Sequence, residues 1–224
     1  MCPPRGHIPS IYIIGPQCTG KTTLVNALYK HFTTDNPDRS IPPPAIISEV
    51  ARTVLREHHF TARDVRDPVR SLKLQKLILQ AQAKAERDIL ANLQNTNDTK
   101  WFISDRSGAD PIAYALRYVG RDAAKESLVS AATGEWTREL KPRMQQSLVV
   151  ICEAGLEAAS WLKDDGVRLM PTNLEEWKRL NGVFCGLLKE EEVPYVLLPA
   201  MLGKLEDRVE FVVTRWREKW ESIE

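Results

Sequence analysis

Residues 15–22 read Gly-Pro-Gln-Cys-Thr-Gly-Lys-Thr and match the pattern G-x-x-x-x-G-K-[ST]. Glycines at the fixed positions allow backbone N–H groups to converge on phosphate oxygens, and a helix that starts here adds the positive end of its dipole. In this chemistry Lys21 neutralises the β- and γ-phosphates, and the hydroxyl of Thr22 ligates Mg²⁺. The spacing therefore predicts a site for a nucleoside triphosphate with Mg²⁺. We assign the nucleotide contacts to these residues: Gly15, Pro16, Gln17, Cys18, Thr19, Gly20, Lys21, Thr22 and Thr23.

Asp105 and Arg106 follow an apolar run and form a second candidate group. A carboxylate at the end of a buried strand can hold Mg²⁺ directly or through water, as a Walker B residue does. Arg106 would address phosphate or substrate; the alternative is a structural salt bridge with a neighbouring acid. We therefore expect Thr22 and Asp105 to be the metal ligands.

Five short apolar runs can provide the strands that position these residues. They are residues 11–14, 45–47, 101–105, 148–152 and 195–198. Helical patterns separate the runs, and the longest, an apolar stripe over residues 64–93, predicts a long amphipathic helix. This alternation predicts an α/β fold: a five-stranded parallel sheet with helices on both faces and ligands at the carboxyl ends of the strands.

The composition is typical of one globular domain, which we expect to span residues 1–224. The formal net charge is only +1, so no overall field would steer a polyanion, and a nucleic-acid contact would need a local basic patch. The four cysteines lack paired C-x-x-C spacing, which favours a reducing compartment over a zinc site. No apolar stretch approaches the roughly 18 residues that span a bilayer. We therefore expect a cytoplasmic location.

Three further segments resemble a known family: residues 48–52, 102–120 and 161–168. They resemble the kinase domain of the bacterial NAD regulator, which phosphorylates nicotinamide riboside. That domain belongs to the AAA domain type 28 family of P-loop proteins, together with eukaryotic GTP-binding regulators of receptor trafficking. More distantly, the layout is similar to thymidylate and deoxynucleoside kinases. The resemblance implies a P-loop kinase fold with a lid segment.

Glu49 lies after the second strand, at the position of an acidic residue in nucleoside kinases. The resemblance implies that its carboxylate accepts the proton of the attacking hydroxyl and orients it toward the γ-phosphate. The alternative is a glutamate at a helix start that interacts with the helix dipole. Arg52, on the same helical face, would bind substrate or pair with Glu49. Arg106 matches the Asp-Arg pair of nucleotide kinases and joins the substrate-binding set.

The segment at about residues 160–172 lies where P-loop kinases place a mobile lid. The resemblance implies that Arg168 closes over the transferring phosphoryl group and offsets its charge, with Lys163 in reserve. The alternative is a solvated turn around Gly166. Gln82, and with it Gln75, lies on the long predicted helix, where deoxynucleoside kinases direct a glutamine at a base; the alternative is a solvated flank position.

These observations favour an ATP- and Mg²⁺-dependent phosphotransferase that acts on a hydroxyl of a nucleoside-like small molecule. We expect catalysis to involve Lys21, Glu49, Asp105 and Arg168, and acceptor binding to involve Glu49, Arg52, Gln82 and Arg106. The Asn/Thr-Lys-x-Asp signature of GTPases is absent, which favours ATP, with GTP still possible.

Two other function classes stay open. One is a GTP- or ATP-binding regulatory module that hydrolyses slowly and acts through a partner or lipid. The other is a polynucleotide 5′-hydroxyl kinase, for which a set of arginines would have to converge on one face: Arg117, Arg121, Arg138 and Arg143.

Overall fold

The computed structural model describes residues 7–35, 41–94, 101–130, 134–155 and 174–223. The sheet has five strands: Ile11–Ile14 (β1), Ala45–Ile47 (β2), Phe102–Asp105 (β3), Leu148–Cys152 (β4) and Val196–Leu198 (β5). Their order is β2-β3-β1-β4-β5, and every neighbouring pair is parallel. The predicted five-stranded parallel sheet is confirmed. The predicted lid, with Arg168 and Lys163, lies outside the described residues.

Helices fill the connections between strands as far as the structure describes them. They are Lys21–Lys30 (α1), Val50–Glu57 (α2), Pro68–Gln94 (α3), Ala109–Tyr118 (α4), Arg121–Ala124 (α5), Lys141–Gln146 (α6), Leu174–Glu190 (α7) and Leu205–Glu221 (α8). Single turns of π-helix occur at His31–Asp35, Lys125–Val129 and Glu135–Leu140, and a 3-10 turn at Ala62–Arg66. No described helix is both long enough and apolar enough to cross a membrane.

The long helix α3 begins later than its apolar stripe predicts. Pro68 restricts the preceding residue, and Asp67 is extended at φ −85° and ψ 115°, so an α-helix cannot run through it. The Asp67 side chain instead accepts the backbone N–H groups of Val69 and Arg70, each at 3.0 Å. The predicted start at Asp64 is therefore wrong, because a cap and a proline separate the 3-10 turn from the helix.

Alternating side chains of β1 lie in two separate apolar cores, one on each face of the sheet. Tyr12 and Ile14 pack in a core that contains residues of α3, α4 and α7, such as Leu79. Ile11 and Ile13 pack in a core that α1 and α8 complete. The prediction of helices on both faces is confirmed, and it explains why the strand is apolar at consecutive positions.

The helices that follow β1 and β3 lie on opposite faces of the sheet. Leu24 of α1 belongs to one core, whereas Ile112 of α4 belongs to the other. Because β1 and β3 are neighbours, the two connections diverge and leave a crevice at the carboxyl ends of these strands. This crevice is where a doubly wound sheet accommodates ligands.

Candidate functional site

The phosphate loop is built into the sheet by two glycines. Gly15 directly follows β1 with φ +123°, and a Cβ atom there would lie 2.8 Å from the carbonyl oxygen of Cys152 in β4. Gly20 immediately precedes α1 with φ +71°. Both positions suit glycine, because other residues rarely adopt this left-handed backbone. The loop therefore approaches β4 closely and delivers its last residues to the N-terminus of α1.

Lys21 is buried and folded back along the loop. Its Nζ atom donates hydrogen bonds to the carbonyl oxygen of Pro16 and, at 3.2 Å, to Oγ1 of Thr19. Burial, together with the nearby Arg106, lowers the pKa of Lys21 to about 7. An anion beside this ammonium group would favour its charged form. The loop thus holds a cation whose charge a phosphate would stabilise.

Thr22 and Asp105 come from different elements and meet beside the loop. The Thr22 hydroxyl donates a hydrogen bond of 2.6 Å to Oδ2 of Asp105. Asp105 is 3% exposed, and its Oδ1 atom is buried with no hydrogen-bond partner among the described residues. A hydroxyl and a carboxylate are the hard oxygen donors that Mg²⁺ prefers, so these side chains fit the ion.

Two cavities adjoin at Arg106. The first is the phosphate cavity, which Arg106 lines together with Lys21, Thr22 and neighbouring loop residues. The second, which we call the acceptor pocket, is lined mainly by residues of α2, α3 and α4. Val50, Leu55, Val65, Leu74 and Ile78 give it an apolar side, and its polar lining comprises Gln17, Glu49, Arg52, Gln75, Gln82, Arg106, Ser107, Asp110 and Tyr114.

Glu49 lies at the start of α2, but its carboxylate does not cap that helix. Instead it accepts a hydrogen bond from Arg52 Nε at 2.8 Å and from a terminal nitrogen of Arg106 at 3.2 Å. The side chain of Glu49 is 10% exposed, whereas that of Arg52 is 43% exposed at the pocket rim. The predicted Arg52–Glu49 pair is therefore present, and two arginines fix the carboxylate in the pocket.

Arg106 connects the phosphate loop to the acceptor pocket. One terminal nitrogen donates to the Gly15 carbonyl at 3.0 Å and to Asp110 at 3.2 Å; the other donates to Glu49. Burial alone would lower the pKa of Arg106, but the carboxylates of Glu49 and Asp110 raise it above its usual value. The backbone of Arg106 adopts φ +90°, an uncommon conformation for a residue with a side chain. The predicted structural salt bridge is present, whereas a contact between Arg106 and substrate stays a prediction.

Sequence reasoning missed Asp110 and Tyr114, which also line the acceptor pocket. Asp110 accepts hydrogen bonds from the backbone N–H of Ser107 at 2.8 Å and from its hydroxyl at 3.1 Å. The spacing Ser-x-x-Asp at a helix start was a readable signal for this cap. Tyr114 donates to Oε1 of Gln17 at 2.8 Å, a contact that no local pattern indicates.

The two glutamines of α3 are not solvated. Gln75 is 3% exposed and Gln82 is fully buried, and both line the acceptor pocket. The alternative of a solvated flank is therefore wrong. The reason is that α2 and α4 both pack against α3, so positions at the edge of its apolar stripe are covered.

The arginines considered for a polynucleotide do not all line the same groove. Arg117 and Arg121 line one open groove between α4 and α7. Arg143 does not line that groove and bonds instead to Glu86 at 3.1 Å and Glu139 at 3.2 Å. Two of the four arginines therefore share a groove that Arg143 does not line, and the convergence of the whole set on one face stays a prediction.

Comparison with known proteins identifies both a sequence family and a shared fold. A family model described as an AAA domain matches residues 10–208. A search of curated proteins finds no significant match. Two solved structures of deoxyadenosine kinase from M. mycoides, one with the products dCMP and a flexible dCDP and one with bound dATP, are 18% and 19% identical to this chain. Their TM-scores are 0.61 and 0.62, and each alignment covers 93% of this chain and 99% of the kinase.

Shikimate kinase from Acinetobacter baumannii, solved in complex with shikimate, is 14% identical with a TM-score of 0.50. The alignment covers 93% of this chain and 92% of that kinase. At these identities the likeness concerns the fold, which is the α/β fold of P-loop kinases.

Proposed function

Since this chain belongs to the AAA domain family, whose model matches residues 10–208, we propose that it transfers the γ-phosphoryl group of ATP to a hydroxyl of a nucleoside-like small molecule. The observation that carries the proposal is the pair of adjoining cavities. Arg106 lines both of them, and Glu49 bonds to Arg106 on the acceptor side. A binding module needs only the first cavity, whereas a kinase needs a second one for the acceptor.

The phosphate cavity would hold the triphosphate. Backbone N–H groups of the loop and the N-terminus of α1 would face the phosphates, and Lys21 would release the Pro16 carbonyl to bond with them. The absence of a guanine signature favours ATP over GTP. One structural neighbour, deoxyadenosine kinase from M. mycoides, was solved with bound dATP, which supports a purine nucleotide.

Thr22 and Asp105 would hold Mg²⁺, and this role is supported by the buried Oδ1 of Asp105, which has no hydrogen-bond partner among the described residues. The ion would supply charge neutralisation at the β- and γ-phosphate oxygens. The predicted lid residue Arg168, outside the described part of the chain, would offset the charge of the transferring phosphoryl group.

On the acceptor side, Glu49 would accept the proton of the attacking hydroxyl and orient its oxygen toward phosphorus. Arg52 and Arg106 hold the carboxylate at 2.8 and 3.2 Å, so its orientation is set before the acceptor binds. The apolar side of the pocket suits a ring, and its polar end suits a sugar hydroxyl. Nicotinamide riboside, which the sequence resemblance implies, is one such acceptor.

The test is a screen of purified protein with ATP and Mg²⁺ against nucleosides, nicotinamide riboside, shikimate and 5′-hydroxyl oligonucleotides, scored by ADP formation. Glu49→Gln should lower the acceptor-stimulated rate by roughly 10²- to 10⁴-fold, the usual contribution of a positioned general base. ATP affinity should survive. Glu57→Gln, at the exposed end of the same helix, is the matched control and should retain the full rate.

Three results would redirect the proposal. Equal stimulated rates in wild type and Glu49→Gln would remove Glu49 from the chemistry. No stimulated rate with any acceptor, together with intact ATP binding, would favour the regulatory module, and stimulation by oligonucleotides alone would favour the polynucleotide kinase.

A further inference from the structure

A buried hydrogen-bond network lies beneath the acceptor pocket, centred on Glu86 of α3. Glu86 is 0% exposed. Its Oε2 atom accepts hydrogen bonds from the Tyr12 hydroxyl at 2.9 Å and from Arg143 at 3.1 Å. Its Oε1 atom accepts one from Nε2 of Gln82 at 2.9 Å. The carboxylate is therefore surrounded by donors, which is how a buried charge is tolerated.

These contacts determine which way the Gln82 amide faces. Nε2 carries two hydrogens, and both are used: one bonds to Glu86 and the other to Oγ of Ser104 at 3.2 Å. Burial raises the pKa of Glu86, but the charge of Arg143 and the hydrogen bonds from Tyr12 and Gln82 act to lower it and favour the carboxylate. Turning the amide by 180° would place its oxygen against this carboxylate, which in its charged form has no hydrogen to donate. The network thus selects one of the two amide orientations.

The carbonyl oxygen of Gln82 is left over. Oε1 is buried and has no hydrogen-bond partner among the described residues, although Gln82 lines the acceptor pocket. Buried amide oxygens are nearly always hydrogen-bonded in folded proteins, since leaving one unpaired is unfavourable. Because Nε2 is committed to Glu86 and Ser104, Gln82 can offer a ligand an acceptor but no donor.

We infer that Glu86 is a positioning residue that presents Gln82 to the pocket as a hydrogen-bond acceptor only, so that the substrate carries an N–H or O–H donor on the part lying against Gln82. An amino or carboxamide group on a nucleoside base has this chemistry, whereas a carboxylate or an unsubstituted ring does not. The inference rests on the proposed function in one respect, namely that this pocket receives the acceptor.

The experiment compares pairs of molecules in which one member carries the donor and the other lacks it. The pairs are adenosine with purine riboside, which lacks the amino group, and nicotinamide riboside with nicotinic acid riboside, which replaces the amide NH₂ by oxygen. Dissociation constants are measured by calorimetry in the presence of Mg²⁺ and a non-hydrolysable ATP analogue. In at least one pair the donor-bearing member should bind about 10- to 100-fold more tightly to the wild-type protein.

Two variants connect this selectivity to the network. Gln82→Met keeps the length of the side chain but removes the acceptor, so the affinity ratio within the selective pair should fall to about one. Glu86→Gln replaces an obligate acceptor by an amide that can also donate, so Gln82 can turn and the ratio should fall toward one. Lys84→Gln, on the exposed face of the same helix, is the control and should keep the wild-type ratio. Thermal unfolding verifies that each variant is folded, and if Glu86→Gln is not, Gln82→Met carries the test.

Several outcomes would overturn the inference: a wild-type ratio near one in both pairs, no binding by any of the four molecules, or an unchanged ratio in Gln82→Met or in folded Glu86→Gln. Failure of the proposed function gives a different result. Donor-selective binding without any ADP formation would support the inference about Gln82 and contradict the proposed kinase function. ADP formation without donor selectivity would support the kinase function and contradict the inference about Gln82.

Discussion

Within the described part of the chain, the Nζ atom of Lys21 bonds only to atoms of its own loop, the Pro16 carbonyl and the Thr19 hydroxyl. Lys21→Ala should therefore leave the fold intact and weaken Mg²⁺-ATP binding about 10- to 100-fold, since it removes a charge-assisted hydrogen bond to phosphate. Calorimetry measures the change. Lys30→Ala, at the exposed end of the same helix, is the control and should bind as wild type. Unchanged ATP affinity in Lys21→Ala would contradict the assignment of residues 15–22 as the phosphate-binding loop.

Asp105 offers a second test at the scale of one residue. Asp105→Asn keeps an oxygen that can accept the Thr22 hydrogen bond but removes the charge, so the Mg²⁺ concentration needed for half-maximal activity should rise about tenfold or more. A magnesium titration of ADP formation measures this. The exposed Asp122→Asn is the control. An identical magnesium requirement in Asp105→Asn would mean that Asp105 does not contribute to metal binding.

At the scale of elements, the approach of the phosphate loop to β4 depends on Gly15. Gly15→Ala should lower the free energy of unfolding by about 1–3 kcal/mol, because φ is +123° and the new Cβ would lie 2.8 Å from a β4 carbonyl oxygen. Urea unfolding measures it. Gly182→Ala is the contrasting control, since a Cβ atom there would meet no described atom within 4 Å beyond its chain neighbours and the nearby backbone of its own helix. Alanine in place of glycine should stabilise α7 by about 0.5–1 kcal/mol. Equal effects in the two variants would contradict the steric argument.

At the scale of the whole molecule, Arg106 joins the loop after β1, the start of α2 and the first turn of α4. Arg106→Met would leave the carboxylates of Glu49 and Asp110 without this cation. We expect a loss of about 3–5 kcal/mol in the free energy of unfolding, typical for breaking a buried ion pair from one side. Arg87→Met, whose side chain is 49% exposed, should change stability by less than about 0.5 kcal/mol.

The same variant has a pH signature through Asp110. Burial raises the pKa of Asp110 above its ordinary value, although Arg106 and Lys21 act to lower it. A carboxyl with a raised folded pKa contributes stability that is present below its unfolded pKa and is lost as pH rises through the folded pKa. Removing Arg106 raises the pKa of Asp110 further. The loss in the free energy of unfolding caused by Arg106→Met should therefore be larger at about pH 7 than at about pH 5. A deficit independent of pH would show that Asp110 does not depend on Arg106 for its charge.

Local patterns in the sequence determined the scaffold and the phosphate end of the site. Gly15, Gly20 and Lys21 are fixed by spacing within one short segment, and each strand is a continuous apolar run because both faces of the sheet are covered. Such features depend on neighbours a few residues away, which is why the five strands could be predicted to within one residue. The predicted start of α3 is wrong because the apolar stripe predicts a start at Asp64, before Pro68. The backbone restriction that Pro68 places on Asp67 sets the actual start of the helix.

Only the tertiary structure decided how the acceptor side is assembled. Glu49 and Arg106 are 57 residues apart and meet because β2 and β3 are adjacent in the sheet, an order that local periodicity does not specify. The same holds for Tyr12 and Glu86, which are 74 residues apart. Only the packed structure shows that Gln82 is buried and lines the acceptor pocket. A glutamine at the edge of an apolar stripe has the same sequence pattern whether water or another helix covers it. The hydrogen-bond partners of these side chains and their removal from water depend on the packing of the whole molecule. Both determine which ligands the acceptor pocket can recognise.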